Sequence, residues 1–239
     1  MSVSIATASC GVCARLTGRR TRLALSLVPQ ATRRSSSPAA GFGARPSLDA
    51  APAAPSPIAF ESPLSICLYP DPRLRAVNKR IVKFDESVRR LAEEMMEVMY
   101  DDDGVGLAAP QVGVNVQMMV FNPEGERGRG TEYVLCNPRV VKTGKNREFD
   151  EEGCLSFPGV RGDVERYAAI RVEAQDERGD AVTLTLKDPW LARIFQHEFD
   201  HLEGVLFHDR MEEKWLAKNT DALEKLVDEY QGDKQKVAL

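Results

Sequence analysis

The chain has 239 residues, 43% apolar and 28% charged, with a formal net charge of −4. That is enough for one domain with a substantial core, and no apolar run reaches the length that spans a bilayer. The acidic balance comes without a concentrated basic stripe, which argues against a nucleic-acid partner.

Charge is unevenly distributed. Residues 1–60 hold Arg15, Arg19, Arg20, Arg22, Arg33, Arg34 and Arg45, no lysine, and a single acid, Asp49. A basic, Ala/Ser-rich leader ahead of an acidic body has the composition of an organelle transit peptide. Residues 1–60 are therefore expected to lie outside the fold, with a merely disordered tail as the alternative. Ala50 to Pro63 has the composition of a cleavage region and linker, and the folded part is expected to begin near Leu64. Cys10 and Cys13 fall in the leader and receive no role. Five cysteines form no pairing framework and point to a reducing compartment. Cys67 and Cys136 sit among apolar neighbours, as buried small hydrophobes do.

Further along, Tyr69 to Arg75 carries two prolines and should be extended or turned. Asp85 is a candidate N-cap, and Val88, Leu91, Ala92, Met95 and Met99 recur at helical spacing, predicting a helix over about 86–100. Strands are predicted at 117–121 and around 133–136, separated by a Pro/Gly loop. Alternation at Ile170, Val172 and Ala174, a turn at Asp176–Gly179, and alternation at Val182, Leu184 and Leu186 predict a hairpin. A helix follows over about 189–202, stopped by Gly204. A last amphipathic helix is expected over about 220–231, then a short polar tail over 233–239. Strands and helices do not alternate as βαβ units, so the fold class is α+β.

Three segments carry chemistry. His197, Glu198 and His201 spell H-E-x-x-H. On a helix, positions i and i+4 share a face, so both imidazoles can reach one ion while the glutamate handles a water proton. The bland alternative is a chance match on a solvated face, but Phe195, Phe199 and Leu202 make this helix apolar and buried histidines need partners. A catalytic site wants a third protein ligand. One option is a downstream glutamate, among Glu203, Glu212, Glu213 and Glu224. The other is Cys154, in E-E-G-C-L-S. His208 is a weaker candidate. The second segment is thus Glu152–Ser156. The third is G-V-G-L-A-A-P-Q, Gly104 to Gln111, whose glycines permit close backbone approach and whose Gln111 is a neutral donor suited to an oxyanion. A simple structural turn is the alternative. Two rivals accompany the hydrolase reading: a conventional metallopeptidase, and a non-enzymatic module using the metal structurally.

Taken in order, G-V-G-L-A-A-P-Q (104–111), E-G-C-L-S (152–156) and Q-H-E-F-D-H (196–201) make the chain resemble the peptide deformylases over about residues 64–215. The Arg-rich leader and M-V-F-N-P resemble the plant and algal organellar, plastid-type branch. The resemblance implies small antiparallel or mixed sheets around a central metal-binding helix, with a catalytic domain over 64–232. It implies one divalent ion, Fe²⁺ in the cell with Zn²⁺, Ni²⁺ or Co²⁺ as substitutes, on Cys154, His197 and His201. Glu198 would be the general acid/base, and Gln111 with the Leu155 N–H would stabilise the oxyanion. Gly106, Val105, Arg161 and Ile194 would meet the peptide, and Glu152 with Arg166 would support the ligands from behind. The implied reaction is removal of the formyl group from N-formylmethionyl nascent polypeptides, with the ribosome surface as a further, transient candidate partner. The implied location is the plastid stroma, with the mitochondrion second.

Overall fold

The structure, a computed structural model, describes residues 50–233. The arginine-rich leader, Cys10, Cys13 and the tail from Lys234 lie outside the described residues. Three helices, α1 (Glu86–Asp101), α2 (Pro189–Leu202) and α3 (Glu213–Glu229), combine with seven strands. These are β1 (Gly106–Ala108), β2 (Met118–Phe121), β3 (Tyr133–Thr143), β4 (Arg147–Gly153), β5 (Arg161–Tyr167), β6 (Ile170–Gln175) and β7 (Ala181–Leu186). They form a five-stranded sheet in the order β1-β2-β3-β6-β7 and a two-stranded ribbon, β4-β5. Every strand pairing is antiparallel, in keeping with the expected α+β class. No helix among the described residues is long and apolar enough to cross a membrane.

Strand β2 shows why the core sits where it does. All four of its residues are buried, because side chains alternate between two covered faces. Met118 and Val120 join Leu91, Met95 and Met99 of α1 in one cluster. Met119 and Phe121 join Ile194, Phe195 and Phe199 of α2 in another. The sheet is thus sandwiched between α1 and the site-bearing α2. A third cluster, with Tyr69, Phe157, Val164, Phe207 and Leu226, lies between the ribbon and α3.

Helix ends follow their local chemistry. Asp85 caps α1 by accepting from Ser87 N at 2.9 Å. Asp188 caps α2 by accepting from Trp190 N and Leu191 N at 2.8 and 3.2 Å, with Pro189 at the first helical position. Gly204 takes φ +67°, and a Cβ there would meet Arg75 O at 3.1 Å, so α2 ends on a residue that only glycine suits.

Three expectations need correction. Helix α3 starts at Glu213, not near 220, because its first turns bury the edges of Trp215 and Leu216 and the polar Asn219, which interrupts the apolar repeat. The strand around 133–136 runs on to Thr143. The fold also begins before Leu64. Ala53 bridges Arg80, with Ala54 N donating to Arg80 O at 2.7 Å and Arg80 N to Pro52 O at 2.9 Å. Ser56 Oγ donates to Asp85 (2.6 Å), Ile58 N to Ser87 Oγ (2.8 Å) and Ser62 Oγ to Glu94 (2.6 Å), so this segment is laced along α1. Ala54 and Ile58 are buried in the α1 cluster. A chain starting at Ala51 should therefore keep full stability in urea unfolding. One starting at Leu64 should lose about 2–4 kcal/mol, mostly the burial of Ile58.

Candidate metal centre and active site

Helix α2 presents His197 and His201 side by side, ring centroids 5.2 Å apart, both buried. Strand β4 supplies the rest. In an extended chain residues i and i+2 point the same way, so Glu152 and Cys154 both turn toward α2. Cys154 Sγ lies 3.4 Å from His201 Nε2. The ligand atoms of Cys154, His197 and His201 all lie within 4.8 Å of one another. Ligands about 2.1–2.3 Å from a tetrahedral ion stand about 3.6 Å apart, so the donor set fits a divalent metal. Among the described residues this is the one group of three such side chains so gathered. Glu203, Glu212, Glu213 and Glu224 stand outside it, and the third side chain beside the two histidines is Cys154. His208 is also elsewhere, packed against Tyr69 and Phe157 and 3.6 Å from Asp209.

Behind the ligands lies a buried ionic network. Glu152 Oε2 is 2.9 Å from His197 Nδ1, which leaves His197 Nε2 for an ion. Arg166 donates to both Glu152 oxygens at 3.0 and 2.9 Å. Arg193 donates to Glu152 Oε1 and to the carbonyl oxygens of Val164 and Glu148, each at 2.7 Å. Arg166 also reaches Asp200 at 2.5 Å, and Arg210 reaches Asp200 at 2.6 Å. Burial by itself would raise the Glu152 carboxyl. The charges of Arg166 and His197 outweigh it and hold the group well below the usual carboxylate range.

Sequence reasoning placed Glu152 and Arg166 in this network but missed Arg193 and Asp200. The available signal was position: both fall on the buried face of α2, where a charged side chain requires a partner.

Gln111 sits in the 3₁₀ turn Ala109–Val112 that follows β1. Its Oε1 accepts from Ala108 N at 2.8 Å. The amide group therefore has to aim Nε2 the other way, 3.4 Å from Cys154 Sγ and 3.3 Å from Ser156 Oγ. A fixed donor faces the metal ligands.

Glu198 is 4% exposed, and burial pushes its carboxyl up to about 7, against the pull of His197. Its Oε2 has no protein partner. A Cβ on Gly106 would fall 2.5 Å from Glu198 Oε1. β1 can pass that close to the glutamate only because residue 106 has no side chain.

The site opens into a cavity of about 730 Å³ lined by Val105, Gly106, Gln111, Cys154, Leu155, Arg161, Ile194, His197 and Glu198. Every cleft residue singled out from sequence thus meets there. Ile194 forms buried apolar wall, Val105 is half-buried, and Arg161 stands exposed at the mouth, 3.6 Å from Glu151. Arg166 lies behind the ligands rather than in the cleft's lining. Trp190, also lining the cleft, was not anticipated. Its Nε1 donates to Pro123 O at 3.2 Å.

Replacing Arg166 by Met should leave Glu152 and Asp200 short of a buried partner. Urea unfolding should show a loss of about 3–5 kcal/mol, and metal titration should show affinity weakened about 10–100-fold.

Comparison with known proteins agrees with this geometry. A model of the polypeptide deformylase family matches residues 63–215. The chain is 50% identical over 179 residues to the chloroplastic peptide deformylase 1B of Solanum lycopersicum, covering 75% of this chain and 64% of that relative. It is 49% identical over 196 residues to the chloroplastic peptide deformylase 1B of Oryza sativa subsp. japonica, covering 80% and 72%. A crystal structure of Arabidopsis thaliana peptide deformylase 1B with an inhibitor superposes with a TM-score of 0.67 at 50% identity, covering 70% of this chain and 92% of that one. The Thermotoga maritima enzyme does so with a TM-score of 0.58 at 43% identity, covering 62% and 97%. With matched motifs, matched fold and a Cys/His/His cluster at the meeting point, the chain belongs to the polypeptide deformylase family.

Proposed function

We propose that this chain removes the formyl group from the N-terminal formylmethionine of newly made polypeptides, releasing formate. The observation that carries this reading is the convergence of the Cys154 sulfur and two imidazoles with one buried glutamate and one aimed glutamine at a single cleft. Cys154, His197 and His201 would hold one divalent ion. Such an ion supplies Lewis acidity and lowers the pKa of a water molecule. Fe²⁺ is proposed in the cell, and the same donors accept Zn²⁺, Ni²⁺ or Co²⁺.

The residues then divide the labour. Glu198, through its unpartnered Oε2, takes the proton of the attacking water. As the formyl carbon becomes tetrahedral, Gln111 Nε2 and the Leu155 N–H hold the oxygen that gains charge. Glu198 next gives its proton to the departing amine, and the C–N bond breaks. Ile194 and Val105 receive the methionine side chain, the Gly106 backbone lies along the peptide, and Arg161 contacts it at the mouth. Glu152 and Arg166 keep His197 oriented. Substrates are nascent chains, met transiently at the ribosome surface.

The plastid is the proposed location, since plant relatives are named as chloroplastic, with the mitochondrion second. Residues before Pro52 form the removable leader, 64–232 the catalytic core with the laced segment ahead of it, and 233–239 a short tail.

Anaerobic purification with metal analysis, run beside formate release from formyl-Met peptides, tests this function. Cleavage of unformylated peptides instead would favour a conventional metallopeptidase. Glu198→Gln should keep its metal yet lose at least about 100-fold in turnover; a fully active variant would remove Glu198 from the mechanism. Gly106→Ala should push the Glu198 carboxylate aside. Its turnover should fall on the order of 100-fold with metal content and thermal midpoint nearly unchanged, as read by formate release and calorimetry.

A further inference from the structure

Helix α3 lies outside the cleft, yet one of its side chains is built into the cleft's mouth. Asn219 is 9% exposed. Its Nδ2 donates to Arg161 O at 2.7 Å and to Trp215 O at 2.8 Å, and its Oδ1 accepts from Arg161 N at 3.4 Å. The amide therefore grips both main-chain groups of Arg161, the first residue of β5, as a neighbouring strand would.

Two further contacts make the grip specific. Arg161 pairs with Gly153, the residue before Cys154. Its guanidinium overlies Gly153, where a Cβ would meet Arg161 Nη1 at 3.6 Å. The next residue, Gly162, has no room for a side chain: a Cβ would lie 2.9 Å from Met211 Sδ and 3.1 Å from Trp215 Cβ. At Gly162 the start of β5 is thus pressed, with no side chain of its own, against Met211 and against Trp215 of α3, and Asn219 fixes its position along the helix.

We propose that Asn219 is a positioning residue for peptide binding: by holding the Arg161 main chain it sets where the Arg161 guanidinium stands at the mouth of the cleft. It touches neither the metal ligands nor Glu198. Its loss should weaken the binding of a peptide and leave the bond-breaking step alone. This rests on the deformylase reading, since Arg161 matters here as a contact to a bound peptide.

The test is a double-mutant cycle on the full chain with formyl-Met-Ala-Ser. Asn219→Ala should raise KM about tenfold, the scale of one or two lost hydrogen bonds, with kcat within about twofold of wild type and bound metal unchanged. Asn219→Asp should do the same, because a carboxylate cannot donate to Arg161 O. In an Arg161→Ala background, Asn219→Ala should change KM no further, because the two act as one unit. A purely structural asparagine would give the same loss in both backgrounds. That result, an unchanged KM in the single variant, or a fall in kcat with loss of metal would each overturn the proposal. A wild-type chain that releases no formate would refute the deformylase reading itself, whatever the variants do.

Discussion

The carboxylate of Glu152 is the joint on which the site depends. It is buried, and each oxygen accepts from two donors: Oε1 from Arg166 and Arg193, Oε2 from Arg166 and His197. Moving a carboxylate out of water costs several kcal/mol, and this one is stable only because four donors replace the lost solvent. In return it ties together three elements distant in sequence. Arg166 comes from β5, while Arg193 and His197 come from α2. Cys154 follows two residues after Glu152, directly past the end of β4. Orienting His197 and placing the Cys154 sulfur are therefore one structural event.

That ribbon was the least legible part of the sequence. Helix α2 was readable to the residue, because a proline after an aspartate cap, an apolar stripe and a terminal glycine all agree. The β6–β7 hairpin was readable from simple alternation over a half-buried face. In β4 and β5 the buried residues are Glu152, Gly162, Val164 and Arg166. Only Val164 of these four carries an apolar side chain, so a search for hydrophobic periodicity passes over them. Glu152 and Arg166 face inward because they form the ionic network, and Gly162 because Met211 and Trp215 leave no room for a side chain. The early start of α3 was hidden for a related reason: Asn219 occupies a buried position of the helix in order to bond the Arg161 main chain. The segment from Pro52 to Pro63 resembled a linker because its Pro and Ser content is that of a turn. The structure spends those serines on hydrogen bonds to α1.

The ligand residues stood out for the opposite reason. His197 and His201 are chemically distinctive and four residues apart with Glu198 between them, so motif and spacing sufficed to find them, while Cys154, far off in sequence, was only one of several candidates. Geometry added what spacing cannot contain. It chose Cys154 over the downstream glutamates, fixed the orientation of the Gln111 amide through Ala108 N, and revealed that Gly106 exists to admit Glu198.

The adjacency of His197 and Glu198 explains the arrangement of the cleft. Neighbouring helix positions differ by about 100° in direction, so one turn of α2 cannot aim both side chains the same way. His197 turns toward the β4–β5 ribbon, where Glu152 receives it, and Glu198 turns toward β1, where Gly106 makes room. The helix must then be walled on two sides, by the ribbon and by the outermost strand of the large sheet. The cleft is the space left between those walls. Its lining takes in Val105 and Gly106 from the β1 side and Gly153, Cys154 and Leu155 from the ribbon side.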